Sequence, residues 1–338
     1  MKNKIFLIAE IGVNHNGDMH LAKRMIDAAK SCGADAVKFQ TFTAEALVSQ
    51  GTPKVRYQES TTSPEETHYE MIQKLELKRD DHFLLKTYCE EVGIEFLSTP
   101  YDIASAKFLH EELDVSLFKT ASADIVDLPL HQYIASTGKH SIVSVGMATL
   151  GEIEDVVSVY RNLGSQNLTL LHCVSNYPCA DESLNLNVMT TLRNAFQLQV
   201  GYSDHSVGFE AAVLSVALGA TIIEKHFTLD KKLPGPDHLA SSTPEEFALL
   251  KDAIRRAEKM LGTPIKRCQD EERQMAAISR KSIILACNLH AGERIERHHL
   301  IMRRPGNGLS AKEIDRVCGM RVKSNLSIGH QLALSDLS

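Results

Sequence analysis

Eight short apolar runs recur along the first three quarters of the chain, and polar residues follow each run at once. The runs are predicted to be β-strands because they are brief and alternate with amphipathic stretches typical of helices. Their spacing of about 30 residues is that of a strand–helix unit. The predicted strands lie near residues 6–9, 36–39, 95–97, 117–119, 142–145, 169–172, 200–202 and 222–224. Helices are predicted near residues 21–29, 80–92, 152–163, 209–218 and 244–261.

Eight strand–helix units predict an α/β fold, and a closed (β/α)8 TIM barrel over residues 1–265 explains the count best. An open doubly wound sheet is the alternative, although it would place its chemistry on fewer strand ends. Residues 51–68, rich in Thr, Ser, Pro and Glu, interrupt the rhythm after the second strand. We expect a long loop there that shapes substrate binding.

The last quarter of the chain has a different residue pattern from the first three quarters. Residues 266–279 are polar and are predicted to form a linker with some helix. Short strands are predicted at residues 281–286, 320–322 and 331–334, with glycine-marked turns between them. Residues 280–338 therefore indicate a small β-rich domain, which at this size is marginally stable alone.

Composition excludes several classes of protein. The net charge is −6, from 37 basic and 43 acidic residues, without the basic excess or basic run expected of a nucleic-acid surface. The seven cysteines include no CxxC pair, which argues against a disulfide framework or a zinc ribbon. No apolar stretch is long enough to cross a bilayer, and the N-terminal apolar segment is too short for a secretory signal. We therefore expect a cytoplasmic protein.

A barrel gathers the carboxyl ends of its strands around one mouth, so residues far apart in sequence converge there. The polar residues at the predicted strand ends are consequently candidates for one active site. They are Glu10, Asn14, His15, Lys38, Gln40, Ser98, Thr99, Lys119, Ser122, Ser144, His172, Ser175, Asp204, His205, Glu224 and His226.

His205 and His226 are the most specific pair of candidate metal ligands, because each follows one of two neighbouring predicted strands. Two neutral imidazoles placed in this way can bind one divalent cation, with carboxylate or water at the remaining positions. Glu10 could hold that cation or act as a base. The alternative is two ordinary histidines, each satisfied by the adjacent carboxylate of Asp204 or Glu224, and spacing alone leaves both interpretations open.

Lys38 and Lys119 end the second and fourth predicted strands. A lysine in a barrel mouth can form a Schiff base or bind an anion as a point charge. Together with the hydroxyls at the intervening strand ends, the two lysines favour a cradle for phosphate and carboxylate oxygens. Any single serine is more simply explained by a local backbone hydrogen bond, so the prediction depends on the whole set. No Walker motif or GxGxxG sequence is present.

Two turn sequences each carry a charged residue. The PGPD sequence at 234–237 predicts a stiff turn that aims Asp237 at the barrel mouth, with a plain turn as the alternative. Arg304 opens the RPGNG sequence at 304–308, where a planar cation from the small domain could recognise a polar substrate group.

The motifs resemble the sialic acid synthase family, the phosphoenolpyruvate-dependent synthases of N-acetylneuraminic, legionaminic and pseudaminic acids. The resemblance covers nearly the whole chain, and the last of its motifs belongs to the C-terminal antifreeze-like (SAF) domain of that family. The motifs are AEIGVNHNG at 9–17, VKFQTF at 37–42, STPY at 98–101, KTASAD at 119–124, GYSDH at 201–205, EKHF at 224–227, PGPD at 234–237 and RPGNG at 304–308.

The resemblance implies roles for particular residues. His205 and His226 match metal-binding histidines, usually with Mn²⁺ (Mg²⁺ or Co²⁺ being alternatives), and Glu10 matches an acidic residue beside the reacting centre. Residues that match the phosphoenolpyruvate and sugar sites are Lys38, Gln40, Thr99, Lys119, Ser122, Ser144, Ser175, Tyr177, Asp237 and Arg304. Two departures are Asp124, where the family has glutamate, and Ser175, where asparagine is frequent.

The implied reaction is condensation of phosphoenolpyruvate with an N-acylated mannose-type sugar, with release of phosphate. The acceptor is either N-acetylmannosamine or 2,4-diacetamido-2,4,6-trideoxymannose. The family also implies a domain-swapped homodimer in which Arg304 acts from the neighbouring subunit. The alternatives are a lysine Schiff-base aldolase on the same barrel and a non-catalytic sugar-binding homologue.

Overall fold

The structure, a computed structural model, describes residues 4–54, 58, 62–63 and 65–338. The chain divides into two compact units, Met1–Gly262 and Thr263–Ser338. Each unit has its own hydrophobic core, as expected of domains that pack independently.

The first unit is built on eight parallel strands in the order β3-β2-β1-β8-β7-β6-β5-β4. The two strands at the ends of this order, β3 and β4, pack side by side, so the sheet curls into a barrel. The predicted (β/α)8 TIM barrel is confirmed. The strands are β1 (Phe6–Gly12), β2 (Ala36–Thr41), β3 (Glu95–Pro100), β4 (Leu117–Thr120), β5 (His140–Ser144), β6 (Leu168–His172), β7 (Gln199–Asp204) and β8 (Ile222–His226).

Several strands continue further than the apolar runs predicted. β1 extends to Gly12 and β8 to His226, and Glu10 of β1 pairs with His226 of β8 in the parallel ladder. Backbone groups form this ladder whatever the side chain, so a polar residue does not end a strand that is flanked on both sides. The polar residues expected to follow the strands are therefore partly inside them.

Helices of the first unit surround the barrel, and each predicted helix is present within about two residues, the usual uncertainty of helix ends. The last helix spans Pro244–Leu261 as predicted, and it begins there because Thr243 and Glu246 form a capping box at its N-terminus. The α-helices are α1 (Met19–Ser31), α2 (Ala44–Leu47), α3 (His68–Gln73), α4 (Arg79–Val92), α5 (Ile103–Lys107), α6 (Leu128–Ser136), α7 (Leu150–Asn162), α8 (Val188–Phe196), α9 (Glu210–Ala217) and α10 (Pro244–Leu261).

The second unit contains helix α11 (Arg273–Ser279), the antiparallel strands β9 (Ser282–Leu285) and β10 (Leu300–Arg303), and helix α12 (Ile314–Val317). Strand β10 was not predicted. Residues 320–322 and 331–334, predicted as strands, make only isolated bridges, such as that of Gln331 with Ile284. Their polar and glycine neighbours break the pairing before a continuous ladder forms. Across the described part of the chain, no helix combines the length and apolarity needed to span a membrane.

Candidate active site

The barrel interior is built in layers, because residues two apart on a strand face the same side of the sheet. The first layer is apolar, and Gly201 supplies the position of β7, where a Cβ atom would lie 2.5 Å from Leu171 Cδ2. The other residues of this layer are Ile8, Ala36, Leu97, Leu117, Ile142, Leu171 and Ile222, and Phe6, two residues before Ile8 on β1, packs against them.

The next layer lies two residues further along each strand, or just beyond its end, and it is polar. It consists of Glu10, Lys38, Thr99, Lys119, Ser144, Cys173, Ser203 and Glu224, one from each strand path, all nine-tenths or more buried. Another step of two residues brings Gln40, Tyr101, Ala121, Ser175, His205 and His226 to the same mouth. Nearly all of these residues line one cavity of about 470 Å³.

Four charged residues, which we call the mouth cluster, form the floor of this cavity: Glu10, Lys38, Lys119 and Glu224. Lys38 Nζ lies 2.9 Å from Glu10 Oε2 and 3.6 Å from Glu224 Oε1. Lys119 Nζ lies 3.5 Å from the same Glu224 oxygen. Two ammonium groups therefore share one carboxylate, and cationic side chains point at the space a substrate would occupy.

Burial and charge act on the mouth cluster in opposite directions. Burial disfavours the ammonium of Lys38, but Glu10 and Glu224 outweigh it and raise the pKa of Lys38. Burial lowers the pKa of Lys119, although Glu224 opposes the change. Burial raises the pKa of Glu10 to about 7, against the pull of Lys38. Burial also disfavours the Glu224 carboxylate, but Lys119 and Lys38 hold its pKa below the ordinary value. Of the two carboxyl groups in the mouth cluster, Glu10 is therefore the one suited to proton transfer near neutral pH.

Hydroxyl groups fix both lysines. Lys38 Nζ donates to Thr99 Oγ1 at 3.1 Å, and Lys119 Nζ donates to Ser144 Oγ at 2.7 Å. Nearby, the backbone N–H of Gly146 donates to Ser122 Oγ at 2.9 Å. Ammonium groups and hydroxyls converge on the cavity, and these are donors that bind phosphate and carboxylate oxygens.

The two predicted metal-binding histidines face each other at the cavity, with ring centroids 5.6 Å apart. His205 Nδ1 donates to Val174 O at 2.7 Å, which fixes the tautomer and leaves the lone pair on Nε2. The buried Nδ1 of His226 has no hydrogen-bond partner among the described residues. Burial lowers the pKa of His205 to about 4 and that of His226 well below its ordinary value.

His205 Nε2 lies 3.3 Å from Ser203 Oγ. Neutral imidazoles are the form that binds divalent cations, so these two residues fit a metal ion. Among the described residues, no group of three or more His, Cys, Asp or Glu side chains is arranged around a common point. A cation held here would therefore take its other ligands from water or substrate. The metal and the roles of the residues stay predictions.

The alternative interpretation, in which neighbouring carboxylates satisfy both histidines, does not match the observed pairs. Asp204 Oδ2 lies 2.7 Å from Lys225 Nζ, on the opposite face of the sheet from the histidines. Glu224 pairs with the two lysines, and the nearest carboxylate oxygen paired with His226 Nδ1 is that of Asp237, at 4.0 Å.

Most of the predicted site residues line the cavity. They are Glu10, Lys38, Gln40, Lys119, Ser122, Ser144, Ser175, Tyr177, His205, His226 and Asp237. Gln40 Nε2 donates to Glu10 Oε1 at 3.3 Å, and the Tyr177 ring lies 4.2 Å from that of His205. Thr99 does not line the cavity, but it accepts a hydrogen bond from Lys38 Nζ. Arg304 belongs to the second unit, where its Nε donates to Ser279 O at 3.0 Å.

Five other residues expected at the mouth do not line the cavity: Asn14, His15, Ser98, His172 and Asp204. Ser98 lies within hydrogen-bond distance of Thr41 Oγ1, at 2.6 Å, and His172 Nε2 donates to Leu184 O at 2.7 Å. On a strand, a residue adjacent to an inward-facing one faces outward, so Ser98 and Asp204 are one position out of register.

The prediction of site residues omitted Ser203 and Cys173 and gave Glu224 no functional role. Ser203 Oγ donates to Glu224 Oε1 at 3.1 Å, and Cys173 Sγ lies 3.0 Å from Ser122 Oγ. The step of two residues from the apolar layer would have found all three. In the predicted loop 51–68, Thr52, Gln58 and His68 line the cavity, whereas residues 55–57, 59–61 and 64 lie outside the described residues.

Both units of the chain match known protein families. Residues 25–266 match the NeuB family and residues 280–338 match the SAF domain. The chain is 47% identical to N,N'-diacetyllegionaminic acid synthase of Legionella pneumophila, over 97% of this chain and 93% of that one. It is 43% identical to the enzyme of the same name from Campylobacter jejuni, over 95% and 97% of the two chains.

A solved structure shows the same fold. It is an N-acetylneuraminic acid synthetase from Leptospira borgpetersenii in complex with citrate, 37% identical, with a TM-score of 0.73 over 81% of this chain and 90% of that one. The predicted family is confirmed. With its barrel and its C-terminal SAF domain, the chain belongs to the NeuB family.

Proposed function

We propose that this protein condenses phosphoenolpyruvate with 2,4-diacetamido-2,4,6-trideoxymannose to give a legionaminic acid and inorganic phosphate. The observation that carries the proposal is the convergence, in one cavity, of two buried lysines with two neutral histidines. The first group suits an anionic substrate, and the second suits a Lewis-acid cation. The names of the two relatives support the acceptor.

The outer wall of the cavity also supports a diacetamido acceptor. Val13, Leu47, Val48, Ile72 and Leu75 line it with aliphatic carbon. This acceptor carries two acetamido methyls and a deoxygenated C6, whereas N-acetylmannosamine carries one acetamido methyl and a C6 hydroxyl. These aliphatic side chains favour the methyl groups, while Thr52, Gln58 and His68 supply polar groups to the same cavity.

Phosphoenolpyruvate is proposed to bind over the mouth cluster, where Lys38, Lys119 and the hydroxyls of Ser122 and Ser144 offset its charge and orient it. A bond then forms between C3 of phosphoenolpyruvate and the aldehyde carbon of the open-chain sugar. Water adds at C2, the C2–O bond to phosphate breaks, and the aldehyde oxygen becomes a hydroxyl. The product is a 2-keto acid.

Glu10 is proposed to transfer a proton to or from the attacking water or the aldehyde oxygen, since its pKa of about 7 allows both protonation states. A divalent ion, Mn²⁺ in preference to Mg²⁺ or Co²⁺, would be held by His205 and His226 and would polarise the acceptor aldehyde when bound. Tyr177 and Asp237, on the same side of the cavity as the histidines, are proposed to contact the sugar.

A homodimer in which Arg304 reaches the partner's sugar site stays a prediction, as does the cytoplasmic location. The opposite charges of the two units support the dimer. Thr263–Ser338 holds 13 basic and 8 acidic residues, whereas Met1–Gly262 holds 24 basic and 35 acidic residues. Opposite net charges favour association between units of different copies.

A Schiff-base aldolase is the second candidate, because burial lowers the pKa of Lys119 and so favours a nucleophilic amine. Against it, the Lys119 ammonium already donates to Ser144 Oγ and to Thr120 O. Borohydride treatment with pyruvate would add mass to a peptide containing Lys119 only if an imine forms.

The deciding experiment is a phosphate-release assay with phosphoenolpyruvate, Mn²⁺ and each of the two acceptors in turn. We expect phosphate release with the diacetamido sugar, at least about tenfold lower kcat/KM with N-acetylmannosamine, and complete inhibition by a chelator. The variant His205→Ala should lose turnover and Mn²⁺ binding while keeping its circular dichroism spectrum. Turnover that survives chelation, or a preference for N-acetylmannosamine, would contradict the proposal.

A further inference from the structure

The segment after β1 contains Asn14, one of the residues expected at the mouth that does not line the cavity. Asn14 is fully buried, and its Nδ2 donates to Phe227 O and to Ser241 Oγ, both at 2.9 Å. Ser241 Oγ in turn donates to the backbone oxygen of Asp237 at 2.7 Å. Asn14 is thus bonded to the loop that follows β8 at two points, one of which leads directly to Asp237.

Asn16, two residues further on, holds the same loop at another point. Its Nδ2 donates to Pro234 O at 2.7 Å and lies 3.3 Å from His238 Nε2, which accepts. The proton of His238 is then on Nδ1, which lies 2.7 Å from Thr228 Oγ1, and that hydroxyl donates to Asp230 O at 3.1 Å. Each N–H or O–H group in this chain has its own acceptor, so the arrangement restrains the loop.

The two segments also pack closely. Gly235 has φ of +142°, and a Cβ atom built on it would lie 2.9 Å from Asn16 Oδ1 and 2.9 Å from His238 Cδ2. A side chain at this position would push the two loops apart. Close approach and directed hydrogen bonds together restrict where the next residues, Pro236 and Asp237, can lie in the cavity wall.

We propose that Asn14 and Asn16 are positioning residues which, through the loop after β8, hold the Asp237 carboxylate where it binds the acceptor sugar. The inference rests on the proposed function, which gives Asp237 that contact. It assigns a role to the VNHNG sequence at 13–17, part of a motif whose asparagines do not touch the cavity. The role concerns the acceptor and not phosphoenolpyruvate, because the mouth cluster is held by separate bonds.

The test compares Asn16→Gly with Asn185→Gly. Both asparagines have positive φ, +52° and +43°, and both donate from Nδ2 to a backbone carbonyl, but Asn185 bonds to Ser183 O and not to the loop after β8. Glycine adopts this conformation freely, so the substitution removes the side-chain bonds without backbone strain. We expect Asn16→Gly to raise the KM of the acceptor about tenfold and that of phosphoenolpyruvate less than about twofold. Asn185→Gly should change neither, and Asn14→Ala should repeat the pattern of Asn16→Gly.

A double-mutant cycle separates positioning from general loosening. If Asn16 acts through Asp237, then Asn16→Gly adds less than about twofold to the acceptor KM in an Asp237→Asn background. Additive effects, equal increases in both KM values, or an unchanged acceptor KM in Asn16→Gly would overturn the inference. Asp237→Asn without an effect on the acceptor KM would instead remove the sugar contact assigned under the proposed function.

Amide hydrogen exchange supplies a readout that does not depend on turnover. Peptides covering residues 228–242 should exchange faster in Asn16→Gly than in the unsubstituted protein, whereas those covering β2 and β4 should not. Unchanged exchange in residues 228–242 would overturn the inference even if the enzyme proved active on another acceptor.

Discussion

The barrel has a group of charged residues at each end, and the two groups differ in how completely their charges are satisfied. The mouth cluster lies at the carboxyl ends of the strands. Oε2 of Glu224 has no hydrogen-bond partner among the described residues, although both lysines pair with its Oε1 and Lys38 also pairs with Glu10. At the amino ends lies a second group, the base cluster, formed by Asp35, Arg255 and Glu258. Its charges have partners throughout.

In the base cluster, Arg255 Nη2 lies 3.0 Å from Asp35 Oδ2, and Nη1 lies 2.9 Å from Glu258 Oε1. Asp35 also accepts the backbone N–H of Leu7, and Arg255 donates to the backbone oxygen of Ile5. A satisfied network stabilises the fold, whereas buried polar atoms left without partners are a cost that folding alone does not explain. From this difference we infer that the mouth cluster binds a ligand, whereas the base cluster stabilises the closed barrel.

The largest expected effect is that of Lys119→Met in the mouth cluster. We expect kcat/KM for phosphoenolpyruvate to fall about 10³-fold, because a buried cation that meets the substrate charge is lost. The free energy of unfolding should change by less than about 2 kcal/mol, since Glu224 keeps Lys38 and Ser203 as partners. Phosphate release and urea unfolding measure the two quantities. Near-normal kcat/KM with a large loss of stability would reverse the assignment of the two clusters.

The variant Arg255→Met tests the base cluster. Removing the guanidinium leaves Asp35 and Glu258 without their common partner, and we expect the free energy of unfolding to fall by about 2 kcal/mol. That figure already allows for solvent, because the side chains are about one-fifth exposed. kcat/KM per folded molecule should stay within about twofold of normal. A tenfold change in kcat/KM would show that the base cluster also affects the site.

A third expected effect concerns His131 on α6, a buried histidine away from both clusters whose Nε2 donates to Asp124 O at 3.2 Å. Burial lowers its pKa from 6.5 to about 4. Between these values the unfolded chain binds a proton that the folded protein does not, so this residue makes stability fall as pH falls. Over this range, His131 changes the free energy of unfolding by about 1.4 kcal/mol per pH unit.

The variant His131→Asn lacks this pH-dependent contribution to the free energy of unfolding. Its deficit in unfolding free energy relative to the unsubstituted protein should therefore be largest at pH 7 and shrink steadily toward pH 4.5. Urea unfolding of both proteins at pH 7, 6 and 5 measures the difference. A deficit that stays constant with pH would show that His131 titrates normally in the folded state.

Sequence patterns predicted much of this molecule. All eight strands were located because apolar runs of strand length recur with helices between them, and most of the site followed from the geometry of a barrel mouth. The errors arose where side chains on adjacent positions face opposite ways. Ser98 and Asp204 were expected in the cavity but face outward, whereas Ser203, which was not expected there, faces inward.

The sequence by itself determined the strand periodicity and therefore which residues share a layer, because side-chain direction alternates locally along a strand. Only the tertiary structure decided that Glu224 lies between two lysines, and that Asn14 and Asn16 bond to a loop more than 200 residues later. Such contacts depend on barrel closure and loop path, which bring distant segments within hydrogen-bond distance. Local sequence cannot encode them, since hydrogen bonds and ion pairs act over a few ångströms in space and not along the chain.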